Sequence, residues 1–223
     1  MNGGGSATPG GVRDVMYVEV DEGRPSRPRR LGAALLDFPA PSGAALVALL
    51  AGVALLLRSE RSHGLLAAAI HGFDLVVHEA GHPLFRMFGW RYLGTLGGTL
   101  LQLTPPLVAA SIFWRRRQTG SLATVVAWLG VNLVNVGEYA ADARDRSLPL
   151  VNADASGHDW GNMLGALGLV EQGRAIGGAI GALGWALQLL GPAWAALLWL
   201  RWRLEEPGPA DPERRGSAQP RRR

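Results

Sequence analysis

The chain has 223 residues, 48% of them aliphatic or aromatic, and it contains no cysteine. The lack of cysteine excludes disulfides, thiolate metal ligands and a cysteine nucleophile, so a bound metal would need nitrogen and oxygen ligands. All 22 basic residues are arginine. They gather in the tails and short loops, as expected for charges that anchor a membrane protein at the lipid bilayer surface. The net charge of +4 therefore indicates no nucleic acid partner.

The apolar residues are collected in five blocks, at 39–57, 64–85, 93–114, 122–140 and 175–200. Each block is close to the roughly 20 residues that an apolar helix needs to cross a bilayer. A chain in lipid must satisfy its own backbone hydrogen bonds. The sequence therefore predicts an all-α integral membrane protein with about five hydrophobic helices, within a range of four to six. The third block contains Pro105 and Pro106, and we expect it to be kinked or re-entrant.

The two ends of the chain differ from this apolar middle. Residues 1–30 are rich in glycine, proline and arginine and lack the apolar core of a signal peptide. Residues 204–223 have the same character. Both ends predict disordered tails, and residues 31–203 predict the helical membrane domain that carries the functional site.

The second apolar block contains the sequence DLVVHEAGHPLF at residues 74–85. His78 and His82 are four residues apart, so a helix projects both from one face, where they can hold one ion. Glu79 lies about a quarter turn away and can reach a water on the same ion as a general base. This spacing is typical of zinc metallopeptidases. It predicts a Zn²⁺ site with His78 and His82 as ligands and Glu79 as the catalytic base.

Asp74 lies one helical turn before His78, on the same face of the second block. We expect its carboxylate to accept the free ring N–H of a ligand histidine. The alternative is that Asp74 is a polar residue beside a water-filled cavity. Acidic residues within a span are costly and usually functional, which favours a role for this helix beyond packing.

A catalytic zinc ion usually has three protein ligands, so the two histidines need a third. His158 and Asp159 are candidates in the sequence SGHDWGNML, and Asp142 is a candidate at the end of the fourth block. If the second, third and fourth blocks each cross once, the second and fourth end on the same side of the membrane. Their polar residues can then meet, and the spacing leaves the choice among the three candidates open.

Two further sets of residues are candidates for the surroundings of this site. A polar stripe along one face of the fourth block comprises Asn132, Asn135, Tyr139 and Asp142. It would either line a substrate cavity or hold helices together through asparagine hydrogen bonds. In the third block, Gln102 with Gly97 and Gly98 would either line the site or form the packing face of a kinked helix.

The HEAGH sequence in a membrane segment, the glycine-rich segment after it and a later acidic residue resemble the site-2 protease class of intramembrane zinc metallopeptidases. The likeness extends to small bacterial membrane proteins with HEAGH, a YxADA sequence (here residues 139–143) and an HDW triplet (here residues 158–160). It covers residues 64–170.

The resemblance implies a Zn²⁺-dependent peptidase of the bacterial cytoplasmic (inner) membrane that cleaves a peptide bond of a membrane-protein or peptide substrate. It favours Asp159 as the third ligand, before His158 and Asp142. In that class the ligand aspartate is followed by glycine and preceded by an Asn-Pro pair, whereas Trp160 follows Asp159 here.

Two non-enzymatic interpretations remain beside the peptidase. One is a membrane protein that binds a metal for sensing, transport or structure. The other is a metal-free scaffold whose histidines line a polar cavity.

Overall fold

A computed structural model describes residues 31–61, 64–148 and 157–205. The chain divides into two units after Leu35, and helix α1 (Leu31–Leu36) ends just past this boundary. The second unit contains α2 (Gly43–Arg61), α3 (Leu65–Arg86), α4 (Arg91–Arg115), α5 (Thr119–Ala141), α6 (Asp159–Ala166), a 3-10 turn (Val170–Gln172) and α7 (Gly173–Glu205).

The five predicted apolar blocks correspond to α2, α3, α4, α5 and α7, and no strand occurs in the part of the chain that the structure describes. The prediction of an all-α membrane protein is confirmed. α7 continues two residues past the predicted boundary at residue 203. The predicted tails, residues 1–30 and the rest of 204–223, lie outside the described residues.

Three of these elements are long and apolar enough to cross a membrane: Arg91–Arg115, Thr119–Ala141 and Val170–Glu205. The apolar part of α2, Gly43–Ser59, is shorter. α3 has 22 residues, but its three histidines and two acidic residues lower its hydropathy, and it is not one of the three. The predicted count of about five spans is therefore approximate.

Helix α4 continues without a break from Arg91 to Arg115, although Pro105 and Pro106 lie inside it. The helix is thus not broken at the two prolines. A proline removes only its own N–H donor from the helix, and a membrane helix can continue when its neighbours pack around it. The buried face of α4 therefore extends along α3 and includes Gly94, Gly97 and Gly98.

α5 and α7 pack together through glycines, at a contact that we call the α5–α7 seam (Gly130, Gly137, Gly177 and Gly184). A Cβ atom on Gly177 would lie 2.3 Å from the backbone oxygen of Gly137, and one on Gly184 would lie 2.7 Å from that of Gly130. Only glycine permits so close a backbone approach. The seam therefore fixes α5, which carries the predicted polar stripe.

α3 and α5 run in the same direction, as expected if each crosses once. Phe73 of α3 lies beside Trp128 of α5, with ring centroids 6.1 Å apart. Further along both helices, His78 lies beside Tyr139, with ring centroids 6.2 Å apart. The polar ends of the two helices are thus brought together, and the short helix α6 packs against α4 and α5.

Candidate metal centre

His78, His82 and Asp159 form a three-residue cluster between α3 and the start of α6. The Oδ2 atom of Asp159 lies 3.2 Å from Nε2 of His78 and 3.1 Å from Nε2 of His82. One ligand atom from each residue lies within 4.8 Å of the other two, and both histidines are buried. The structure thus brings one acidic residue, distant in sequence, against the two histidines.

The opposite nitrogen of each histidine ring has its own acceptor. Nδ1 of His82 donates to the backbone oxygen of Gly94 at 3.0 Å, and Nδ1 of His78 donates to Oε1 of Gln102 at 3.0 Å. A neutral ring with its proton on Nδ1 has a free lone pair on Nε2. In neutral rings the two Nε2 lone pairs would therefore face the same carboxylate oxygen, as they do in metal sites where outer partners fix the ligand tautomer.

The separations within the cluster suit a tetrahedral ion of zinc size. Bonds of about 2.0 Å from zinc to nitrogen or oxygen place two tetrahedral ligand atoms about 3.3 Å apart. The two distances from Asp159 Oδ2, 3.2 and 3.1 Å, are close to that value. Three electron-rich atoms this close repel one another unless a positive charge lies among them. The donor set and its spacing therefore fit a divalent cation of the zinc class.

Asp159 is held in place by Tyr139 and by its position at the start of α6. The Tyr139 hydroxyl accepts the backbone N–H of Asp159 at 3.0 Å. Burial alone would raise the pKa of the Asp159 carboxyl, but hydrogen bonds from Nε2 and the positive charge of the His78 and His82 rings, when these carry protons in place of a metal, hold that pKa below its ordinary value. The carboxylate is therefore ionised at neutral pH, as a metal ligand must be.

The two rival candidates, His158 and Asp142, pair with each other outside the cluster. Nε2 of His158 donates to Oδ2 of Asp142 at 3.3 Å, and Nδ1 of His158 accepts the backbone N–H of Gly161 at 3.0 Å. Burial lowers the pKa of His158, in agreement with this neutral ring. Both ring nitrogens are engaged, so His158 acts as the N-cap of α6 and has no lone pair left for a metal.

Asp142 is engaged on all sides just after α5. It accepts hydrogen bonds from Ser147, through its N–H at 3.0 Å and its hydroxyl at 2.6 Å, and from the N–H of Leu148 at 2.9 Å. Burial would raise the pKa of Asp142, but these bonds and the one from His158 lower it. Asp142 and His158, the two other candidates for the third ligand, thus have structural roles: Asp142 binds the chain after α5, and His158 caps the helix that begins with Asp159.

Asp74 does not accept a ring N–H of His78 or His82, because Gln102 and Gly94 take those positions. Its carboxylate instead faces Trp128 and Asn132 across the gap to α5. The expectation that Asp74 orients a ligand histidine is therefore wrong. The predicted polar stripe of α5 divides: Tyr139 and Asp142 adjoin α6, whereas Asn132 and Asn135 face Asp74 and His71.

Gly98 and Glu79 border the cluster in different ways. A Cβ atom on Gly98 would lie 2.5 Å from Nε2 of His78, so the glycine leaves the room that the ring occupies. Glu79 is partly exposed and acts electrostatically on His82 and Tyr139. Among the described residues no hydrogen bond ties up its carboxylate. Glu79 therefore lies near the cluster.

Two parts of the centre were missed in the sequence: the Gly94 carbonyl and the His158–Asp142 pair. A backbone carbonyl gives no sequence signal, because any residue supplies one. The pair had a signal, since His158 directly precedes a short helix that begins with an acidic residue, which is a common position for a capping side chain.

Comparison of the chain with protein-family models, curated proteins and solved structures gives no match.

Proposed function

We propose that this protein is a zinc-dependent peptidase of the bacterial cytoplasmic membrane, which hydrolyses a peptide bond of another membrane protein. The observation that carries the proposal is the convergence of His78 Nε2, His82 Nε2 and Asp159 Oδ2, with Glu79 next to His78 in the sequence. The apolar helices α4, α5 and α7 support a reaction within or beside the membrane.

His78, His82 and Asp159 would hold the metal, and this leaves one tetrahedral position for water or substrate, as in catalytic zinc sites. Zinc held there would act as a Lewis acid and bring the acidity of a water molecule into the physiological pH range. Glu79 would take the proton from the attacking water and deliver it to the leaving amine nitrogen, so one carboxylate serves both steps.

The residues around the cluster would keep the three metal ligands correctly oriented. Gln102 and the Gly94 carbonyl hold the two rings in the tautomer that binds metal, and Tyr139 holds the backbone of Asp159. Such outer partners typically change metal affinity or activity 10- to 100-fold when they are removed. Gly98 leaves the space that the His78 ring fills.

The test is purified full-length protein with zinc, incubated with a panel of single-span membrane proteins in liposomes. We expect cleavage by the wild type and a loss of at least about 100-fold in Glu79→Gln, because a general base contributes about 10²- to 10⁴-fold. Zinc content should be unchanged in this variant. Glu138→Gln is the matched control, since Glu138 is an exposed glutamate beside Tyr139, and it should cleave normally.

Cleavage that persists in Glu79→Gln would overturn the mechanism. Bound zinc without cleavage of any substrate, together with a cellular phenotype that Glu79→Gln leaves intact, would favour the second candidate, a non-enzymatic metal-binding protein for sensing, transport or structure. The same three ligand atoms support that candidate, because a scaffold needs the metal but has no use for a base.

A further inference from the structure

A second polar cluster lies between α3 and α5, about one turn before the metal centre along α3, and we call it the Asp74 layer (His71, Asp74, Asn132 and Asn135). Asp74 is 2% exposed and Asn132 is fully buried. Oδ2 of Asp74 and Oδ1 of Asn132 have no hydrogen-bond partner among the described residues. Two buried acceptor oxygens in one cluster thus lack a donor, which is uncommon in folded proteins.

Trp128 and Asn132 donate hydrogen bonds to the Asp74 carboxylate, but its Oδ2 atom is left without a donor among the described residues. Nδ2 of Asn132 donates to the backbone oxygen of Trp128 at 3.1 Å, and Nδ2 of Asn135 donates to Nδ1 of His71 at 2.6 Å. In the described part of the chain, the side chains that act on Asp74 are those of Trp128, Asn132 and His71, and no arginine is among them. Of these three side chains, only that of His71 is titratable. The cluster therefore carries a carboxyl group without an arginine to balance it.

The surroundings of the layer are apolar on one side. An apolar cleft of about 840 Å³ lies beside it, between α2, α3 and α5, and is lined by Leu49, Val53, Leu66, Ile70, Phe73 and Trp128 among others. Phe73 directly precedes Asp74, and Trp128 faces it. A carboxylate in so apolar a setting is stable only when it is paired, hydrogen-bonded or neutralised.

We infer that the Asp74 layer is a binding site for one monovalent positive charge, a proton or a sodium ion, held between Asp74 Oδ2 and Asn132 Oδ1. A proton on Asp74 would turn one of the unpartnered acceptors into a donor for its neighbour. A sodium ion would be coordinated by the same two oxygens, which are hard ligands of the kind that such ions prefer. The inference is independent of the proposed peptidase activity, because it involves neither the three ligands nor Glu79.

The proton and the sodium ion are distinguished with dicyclohexylcarbodiimide, an apolar reagent that modifies protonated carboxyl groups in membranes. Full-length protein in lipid nanodiscs is treated over a pH series in sodium chloride or in potassium chloride of equal ionic strength. Fragmentation of the modified peptide separates Asp74 from Glu79. Asp145, an exposed carboxylate paired with Arg174 at 2.6 Å, serves as an internal control that should stay unmodified.

We expect Asp74 to be modified, at a rate that falls about tenfold for each pH unit above the pKa of the group. If the occupant is a sodium ion, sodium at ten times its dissociation constant should slow the modification about tenfold relative to potassium. If it is a proton, the two salts should give equal rates. Asp74→Asn should abolish the modified peptide.

Infrared spectroscopy measures the protonation state of carboxyl groups directly. It does not require the reagent to reach Asp74, and it does not require a variant that folds. A proton on Asp74 gives a carbonyl stretch of a protonated carboxyl group in wild-type protein at neutral pH. A sodium ion gives a carboxylate band that shifts between sodium and potassium. A carboxylate that is ionised through the physiological pH range and indifferent to sodium would overturn the inference, whatever the labelling result.

Discussion

Glycine brings helices together at two places in this protein, with different results. In the α5–α7 seam the atoms closest to a Cβ on Gly177 are the backbone oxygen of Gly137 at 2.3 Å and the backbone nitrogen of Ala141 at 2.4 Å. Between α3 and α4, the atoms closest to a Cβ on Gly98 belong to the imidazole of His78. The first contact sets the distance between two helices, and the second sets the position of a ligand ring.

This difference has a consequence for mutation. A new methyl group in the α5–α7 seam meets backbone, which cannot move without moving a helix, so the cost falls on stability. A new methyl group at Gly98 meets a side chain, which can rotate, so the cost falls on the orientation of His78. Four substitutions test this comparison, from the largest to the smallest expected effect on metal affinity.

Removing a ligand should have the largest effect. His82→Ala deletes one of three converging ligand atoms, and we expect it to lose its zinc on dialysis while its helix content is retained. Elemental analysis of purified protein measures this. His71→Ala is the matched control, because His71 is on the same helix but pairs with Asn135, and it should keep its zinc. Equal zinc in all three proteins would contradict the metal centre.

Gly98→Ala should weaken zinc binding by about 100-fold, at the upper end of the range for changes outside the ligands. The added methyl group would lie 2.5 Å from Nε2 of His78, so the ring must turn away from Gln102. Competition with a zinc chelator measures the affinity. Gly72→Ala is the control, since a Cβ at that position in α3 meets nothing within 4 Å. An unchanged affinity in Gly98→Ala would mean that the ring is not held where we describe it.

Gln102→Ala should weaken zinc binding by about tenfold, because it removes the acceptor of His78 Nδ1 without touching a ligand atom. Gln102→Glu keeps an acceptor oxygen at this position and should restore most of the affinity. The absorption spectrum of the cobalt-substituted protein reports ligand geometry and should change in Gln102→Ala. If alanine and glutamate weakened binding equally, packing of the side chain would be the cause.

Gly177→Ala should leave the zinc affinity unchanged and lower the free energy of unfolding by about 1 to 3 kcal/mol, through overpacking of the α5–α7 seam. Thermal unfolding in detergent measures the loss. Gly178→Ala on the next residue is the control, because its Cβ meets nothing within 4 Å, and helix propensity should make it neutral or slightly stabilising. A Gly177→Ala protein with full stability but a low zinc content would contradict the expectation that the α5–α7 seam affects stability and not metal binding.

The helices could be predicted from the sequence, because apolar blocks of span length have few alternatives in lipid. The pairing of His78 with His82 also followed from spacing alone, since a helix places residues four apart on one face. The residues that accept the Nδ1–H groups of these two rings could not be predicted from spacing. Asp74 has the same spacing from His78 as His82 does, yet its side chain faces α5, because helix packing decides which residue fills the space beside each ring.

The third metal ligand also could not be chosen from residue spacing. Asp142, His158 and Asp159 were equal candidates by residue type, and they differ only in what else binds them. Asp142 accepts hydrogen bonds from the turn after α5, and His158 accepts one from the N-terminus of α6. Within the described residues, Asp159 has no such partner for its side chain and faces the histidines. Such competition among neighbours depends on the three-dimensional path of the chain, which the spacing of residues does not contain.

The position of Asp159 on α6 also has a meaning for biosynthesis. His78 and His82 leave the ribosome together, on one helix, whereas Asp159 emerges only after α4 and α5 have been made. Until then only two of the three residues of the metal centre are present. The order of the helices thereby delays the assembly of all three residues until α6 has been made.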